Sequence, residues 1–137
     1  MRVVLDTNVL ISACLKPGGL EARVAGMAVA GALEACVTDE VLAEYREVLG
    51  RAKFQAWREA SDALLGAFTK RTVHVTGGAP VQAAGDEDDN RFLECAAASG
   101  AEFLITGNLR HYPAVWGCTR VVNARAFLDD YLEDKTN

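Results

Sequence analysis

The sequence predicts an α/β fold in which a parallel sheet of about five strands is covered by helices on both faces. Three observations predict it. Short apolar runs alternate with longer helical segments along the chain. The first run, Val3-Val4-Leu5, is wholly apolar, as a strand buried on both faces must be. Gly and Pro residues mark the breaks between segments. At 137 residues the chain has room for one domain, expected to span residues 1–137, with a substantial core.

Val3-Val4-Leu5 turns at Asp6-Thr7-Asn8 into a helix that continues from Val9 to Leu15. Pro17, Gly18 and Gly19 break the chain, and the Ala-rich stretch Leu20 to Leu33 reads as a largely covered helix. Ala35-Cys36-Val37 is the second strand. Thr38 or Asp39 is placed to cap the next helix, whose apolar stripe is Val41, Leu42, Tyr45, Val48 and Leu49 and which ends at Gly50. A helical stretch from about Gln55 to Phe68, a strand over Thr72 to Thr76 and a loop with Gly77, Gly78, Pro80 and Gly85 follow. Asp88 to Ser99 is a helix stopped by Gly100, and Glu102 to Thr106 is a strand ended by Gly107. Arg120-Val121-Val122 is the last strand, and Ala124 to Leu132 closes the chain as a helix.

Acidic residues outnumber basic ones 19 to 14, for a formal charge of -5. A polyanion therefore cannot be held by net attraction and needs a local patch or a metal. The longest apolar stretch, Val24 to Leu33, falls short of the ~20 residues that cross a bilayer. Arg2 is followed by only three apolar residues before Asp6, which is not a secretory signal, so a cytoplasmic protein is expected. Cys14, Cys36, Cys95 and Cys118 form no C-x-x-C pair, and His74 and His111 lie far from them. The pattern argues against a thiolate zinc site, and each cysteine is expected as a small buried hydrophobe.

Function is read from where the acids fall. Asp6 closes a buried strand, and in open parallel sheets the carboxyl ends of the strands border the ligand crevice; capping the following helix is its competing role. Asp89, Phe92, Leu93 and Ala96 share one helix face by their i, i+3, i+4, i+7 spacing. A carboxylate on that apolar face needs hydrogen bonds, a cation or a proton. Glu44 borders the apolar stripe of its helix more weakly, and within Asp86-Glu87-Asp88-Asp89 only Asp86 and Asp89 are expected to face inward. Convergence of Asp6, Glu44 and Asp89 would raise their pKa values, and a hard dication, Mg²⁺ or Mn²⁺, would relieve the repulsion. Metal-bound water beside a phosphate ester points to hydrolysis.

These residues resemble the PIN-domain family of metal-dependent nucleases, in particular its bacterial branch of toxin components from toxin-antitoxin pairs. The resemblance rests on Val4-Leu5-Asp6-Thr7-Asn8-Val9-Leu10-Ile11-Ser12, on Thr38 through Leu49 with Glu44, on Asp86-Glu87-Asp88-Asp89-Asn90-Arg91-Phe92-Leu93-Glu94, and on Leu104-Ile105-Thr106-Gly107-Asn108. It implies a three-layer α/β/α PIN-like fold, a metal held by Asp6, Glu44 and Asp89, and endonucleolytic hydrolysis of RNA leaving a 5′-phosphate. A fourth acid is common where this chain has Asn108. Asn108 positions water without adding charge, which weakens a second metal, and Asp86 is the candidate to restore a carboxylate. Thr7, Asn8 and Thr106 fall beside the metal as orienting groups, with helix capping as their ordinary role, and Arg110 and His111 are placed to meet an RNA phosphate.

Arg46, Arg51, Lys53 and Arg58 cluster after Glu44, and Lys70-Arg71 end the next helix. They form either an RNA-facing patch or a solvated face with local ion pairs. The resemblance adds a cognate antitoxin and a homodimer as partners, with Phe54 and Trp57 at the dimer interface or in the core. Two other readings compete. A phosphatase of the haloacid dehalogenase type would use Asp6 as nucleophile but needs a second aspartate where Asn8 stands. A catalytically weak PIN-like module would instead bind RNA or a protein partner, which Asn108 permits.

Overall fold

In the computed structural model, which describes residues 1–77, 80–84 and 86–136, six strands form one sheet. They are β1 (Arg2–Leu5), β2 (Glu34–Val37), β3 (Val73–His74), β4 (Phe103–Ile105), β5 (Val115–Trp116) and β6 (Thr119–Val122), in the order β3-β2-β1-β4-β6-β5. The five expected strands all pair in parallel: Val3 lies opposite both Ala35 and Phe103, and Leu104 opposite Val121. The sixth, β5, was not expected. It adds antiparallel to β6, Val115 opposite Arg120, through a turn whose Gly117 has φ +60°, a conformation open mainly to glycine. Two residues are too few to carry a periodic signal.

The helices are α1 (Thr7–Leu15), α2 (Leu20–Val29), α3 (Asp39–Leu49), α4 (Arg58–Thr69), α5 (Glu87–Ser99) and α6 (Ala124–Thr136), with short 3-10 turns at Ala52–Trp57 and Leu109–His111. α5 lies on β1, β2 and β4 beside α3, while α2 packs against α1, α4 and α6. Val3, Val4 and Leu5 are completely buried, so both faces of the central strand are covered. No described helix is long and apolar enough to cross a membrane. Gly78 and Gly85 of the predicted loop lie outside the described residues.

Three sequence expectations are corrected. α2 stops at Val29 rather than Leu33, because Gly31 takes φ +84° and turns the chain, although Leu33 still enters the core. The helix expected from Gln55 begins at Arg58, after the 3-10 turn. Cys118 is exposed in the β5–β6 turn, whereas Cys14, Cys36 and Cys95 are buried as expected.

The Thr38 side chain, not Asp39, caps α3 by accepting from the Val41 amide at 3.1 Å. Tyr45 of that helix is fully buried, its ring edge-on to Phe68 at 5.8 Å and tilted against Phe92 at 6.1 Å. Its hydroxyl donates to the Leu5 carbonyl at 2.5 Å, which ties α3 to the carboxyl end of β1. Tyr45→Phe should therefore cost about 1 kcal/mol, the net worth of one buried hydrogen bond. Urea denaturation checks this, and an unchanged midpoint would show that the tie contributes nothing.

Candidate active site

The strand order reverses at β1, with β2 and β3 to one side and β4, β6 and β5 to the other. A ligand crevice is expected beyond the carboxyl ends of β1 and β4, where the two halves diverge. Asp6 follows β1 and Thr106 follows β4. The Asp6 amide continues the ladder by donating to the Ile105 carbonyl at 3.0 Å, so the backbone itself brings these two positions together.

Asp6 is only 5% exposed. It precedes α1 yet its side chain makes no capping hydrogen bond. Instead Oδ2 accepts from Thr106 Oγ1 at 2.8 Å, from the Tyr112 hydroxyl at 2.9 Å and from Asn8 Nδ2 at 3.3 Å. Asn8 and Thr106 are braced in turn: Gly107 N donates to Asn8 Oδ1 at 2.9 Å, and Asn108 N to Thr106 Oγ1 at 3.0 Å. Burial pushes the Asp6 carboxyl up, against the hydrogen bonds from Thr106 and Tyr112 and the nearby amides of Asn8 and Thr7. Thr7 is buried, and its Oγ1 has no hydrogen-bond partner among the described residues.

Asp89 stands on α5 in line with the buried Phe92, Leu93 and Ala96. Its side chain keeps 16% of its exposure, and Oδ2 lies 3.1 Å from His111 Nδ1. Burial raises its pKa, and the charges of Asp6 and Asp86 raise it further against the pull of His111. Glu44 is half-buried. Its pKa is raised first by burial, then by Asp88 and Glu47, with Asp6 also acting on it. Asp6 is thus the charge that both Glu44 and Asp89 feel.

The acids nonetheless do not close into the three-ligand cage that the sequence suggested. Among the described residues, no three Asp, Glu, His or Cys side chains form a group that could hold a metal together. Asp86 does not face inward: it is exposed and caps α5, Oδ1 accepting from the Asp88 amide at 2.9 Å. The helix needs an acceptor at that position, and Asp86 supplies it. The donor set remains a hard one. All three side-chain hydrogen bonds to Asp6 arrive at Oδ2, which leaves Oδ1 without a side-chain donor. A small dication that keeps much of its water shell and takes one or two carboxylates fits these residues.

Asn108 and Arg110 are exposed. With Gly107, Leu109, His111 and Asn123 they line a cleft of about 490 Å³ at this edge of the sheet. The basic cluster that follows α3 is largely engaged locally, although the Arg51 charge also acts on Glu44. Arg51 pairs with Glu47 at 2.8 Å, Arg58 donates to the Gly50 carbonyl at 3.0 Å, and Lys53 sits over the Phe54 ring. Trp57 is 38% exposed and Phe54 half-buried, so neither is a core residue.

Tyr112 was not anticipated from sequence. The available signal was an aromatic residue in a polar loop after β4, since a buried tyrosine hydroxyl must find an acceptor. Asn90 was also missed as a brace: buried on α5, its Oδ1 accepts from the amides of Ala83 and Ala84 at 3.0 and 2.8 Å.

The profile of the PIN domain family matches residues 2–110 of this chain. Among solved structures, the fold is similar to that of VapBC2 from Rickettsia felis bound to a DNA fragment from their promoter. That match has a TM-score of 0.60 at 17% identity and covers 90% of this chain and 98% of that one. It is also similar to FitAB bound to the IR36 DNA fragment, with a TM-score of 0.56 at 17% identity, covering 89% of this chain and 94% of that one. No curated protein matches the sequence.

The raised acids carry a pH dependence with a definite sign. A carboxyl whose folded pKa lies above its ordinary value, 3.8 for Asp6 and Asp89, favours folding when protonated. That contribution is complete below the ordinary value and is lost as pH rises through the folded one. At neutral pH the charges therefore cost stability. Asp6→Asn should raise the Tm of the protein in EDTA at pH 7, and the gain should shrink toward pH 4. Thermal unfolding across that range checks it; a lowered Tm at pH 7 would mean the charge stabilises the fold.

Proposed function

This chain belongs to the PIN domain family, and we propose that it is a metal-dependent endoribonuclease acting as the toxin of a toxin-antitoxin pair. The observation that carries this reading is the Asp6 carboxylate, buried where the strand order reverses and held by donors from Thr106, Tyr112 and Asn8. The Asp6 side chain makes no capping hydrogen bond at the start of α1; the side chains of Thr106 and Tyr112 outweigh the amides of Asn8 and Thr7 in holding it.

Asp6 and Asp89 would hold Mg²⁺ or Mn²⁺ together with much of its water shell, and Glu44 would act on it through charge rather than as a third close ligand. When bound, the ion supplies a water of lowered pKa and neutralises charge developing on the phosphodiester. The chain's own residues do the rest. Thr106, Tyr112 and Asn8 fix the orientation of Asp6, so that little reorganisation remains for the reaction. His111 would steady Asp89 through the 3.1 Å contact of its Nδ1 with Oδ2. The Arg110 and Asn108 side chains, both of residues lining the cleft, would donate to phosphate oxygens and keep the RNA in register. This local binding answers the problem of an acidic protein, charge -5, holding a polyanion. An antitoxin that covers this edge in the resting cell, and a cytoplasmic location, go with the reading.

The test is cleavage of end-labelled RNA with Mn²⁺ or Mg²⁺. The native protein should cut it, and Asp6→Asn and Asp89→Asn should each lose about 100-fold or more while remaining folded, the scale for removing an essential catalytic group. No cleavage with either metal would favour a module that binds RNA or a protein partner. That second reading has one observation behind it, since no three acids close around a common point among the described residues.

A further inference from the structure

Two tyrosines donate hydroxyl protons at the carboxyl end of β1, and they use different acceptors. Tyr45 takes the backbone carbonyl of Leu5, as a buried tyrosine can wherever one is in reach. Tyr112, 8% exposed, takes the neighbouring Asp6 carboxylate at 2.9 Å. A tyrosine hydroxyl has one proton to give, and here it goes to Oδ2.

The segment that presents Tyr112 is itself fixed. His111 N donates to the Asn108 carbonyl at 3.0 Å, and Tyr112 N to the Leu109 carbonyl at 3.2 Å. Within it, His111 reaches Asp89 and Tyr112 donates to Asp6, with Asp89 also close enough to act on the Tyr112 hydroxyl. One short turn therefore sets the placement of both carboxylates. Of the three donors to Asp6, Thr106 and Asn8 also bond to each other and to the backbone after β4; Tyr112 alone comes from beyond that turn.

We infer that Tyr112 is a positioning residue: its buried hydroxyl orients the Asp6 carboxylate through Oδ2 and leaves Oδ1 as the atom offered to a divalent cation. This rests on the metal-dependent reading of the site. Tyr112→Phe keeps the ring and removes only the donor. Mn²⁺ binding is measured by electron paramagnetic resonance of the free ion, with no RNA present, and fold by thermal unfolding and near-ultraviolet circular dichroism. Tyr112→Phe should fold and should weaken Mn²⁺ binding about 10-fold, at the lower end of the 10–100-fold range for partners of metal ligands. In RNA cleavage, the Mn²⁺ concentration giving half the maximal rate should rise by the same factor, and added Mn²⁺ should recover the lost rate.

The outcomes separate the two claims. Native protein that binds Mn²⁺ and a folded Tyr112→Phe with the same Kd would overturn the positioning role and leave the site reading intact. A Tyr112→Phe that does not fold would reassign the hydroxyl to stability alone. Native protein that fails to bind Mn²⁺ would overturn both.

Discussion

A carboxylate that is 5% exposed at the end of a central strand has to be held, and the way Asp6 is held organises this end of the molecule. Left ionised without donors, it would cost several kcal/mol. Three donors to one oxygen offset that cost, and each belongs to a different segment: Asn8 to the first turn of α1, Thr106 to the end of β4, Tyr112 to the loop beyond. The carboxylate thus joins segments about 100 residues apart in sequence. Its remaining raised pKa shows that the donors do not fully repay the burial. A fold that keeps such a group spends core stability on it, and the apolar β1 with Tyr45, Phe68 and Phe92 packed near it supplies that stability.

The sheet order explains why these segments meet. Parallel strands require crossovers, and successive crossovers from β1 to β2 to β3 run outward on one side, after which α5 returns the chain to β4 on the other side of β1. The point of reversal is flanked by β1 and β4, the neighbouring strands farthest apart in sequence, and a crevice is expected where their crossovers diverge. Asp6 and Thr106 follow these two strands and are hydrogen-bonded to each other where they end. Asp89 is added by α5, which packs on β1, β2 and β4 together, so its first turn sits above the same crevice.

What could be read in the sequence was whatever burial forces into a pattern. Val3-Val4-Leu5 had to be apolar to be covered on both faces, which made Asp6 conspicuous, and helical spacing put Asp89 in register with Phe92 and Leu93. The five parallel strands were visible for the same reason. The parts that could not be read lie where no periodicity operates. Tyr112 sits in a loop and bonds a residue 106 positions away. β5 is two residues long, and Cys118 follows apolar neighbours but is turned outward by Gly117. Glu44 was read from its place at the border of the α3 apolar stripe and from the family resemblance, and a half-buried edge residue carries too weak a pattern to fix its distance from Asp6.

The run Asp86-Glu87-Asp88-Asp89 shows how a helix start divides labour among residues that look alike in sequence. The first turn has amides that need acceptors and a dipole that favours negative charge. Asp86 meets the first need from outside the helix, capping the Asp88 amide. Glu87 and Asp88 stay in solvent, where they gain from the dipole at no desolvation cost. Each residue turns the helix by 100°, so Asp89 is the first of the four to come round to the face that carries Phe92 and Leu93. Its burial is costly and the dipole repays only part of it; His111 supplies a hydrogen-bond partner, and the nearby charge of Asp6 adds a further cost. A helix start with one capping acid, two solvated acids and one constrained acid leaves the constrained one, Asp89, as the acid of this turn that combines partial burial with a contact to His111 and the charge of Asp6.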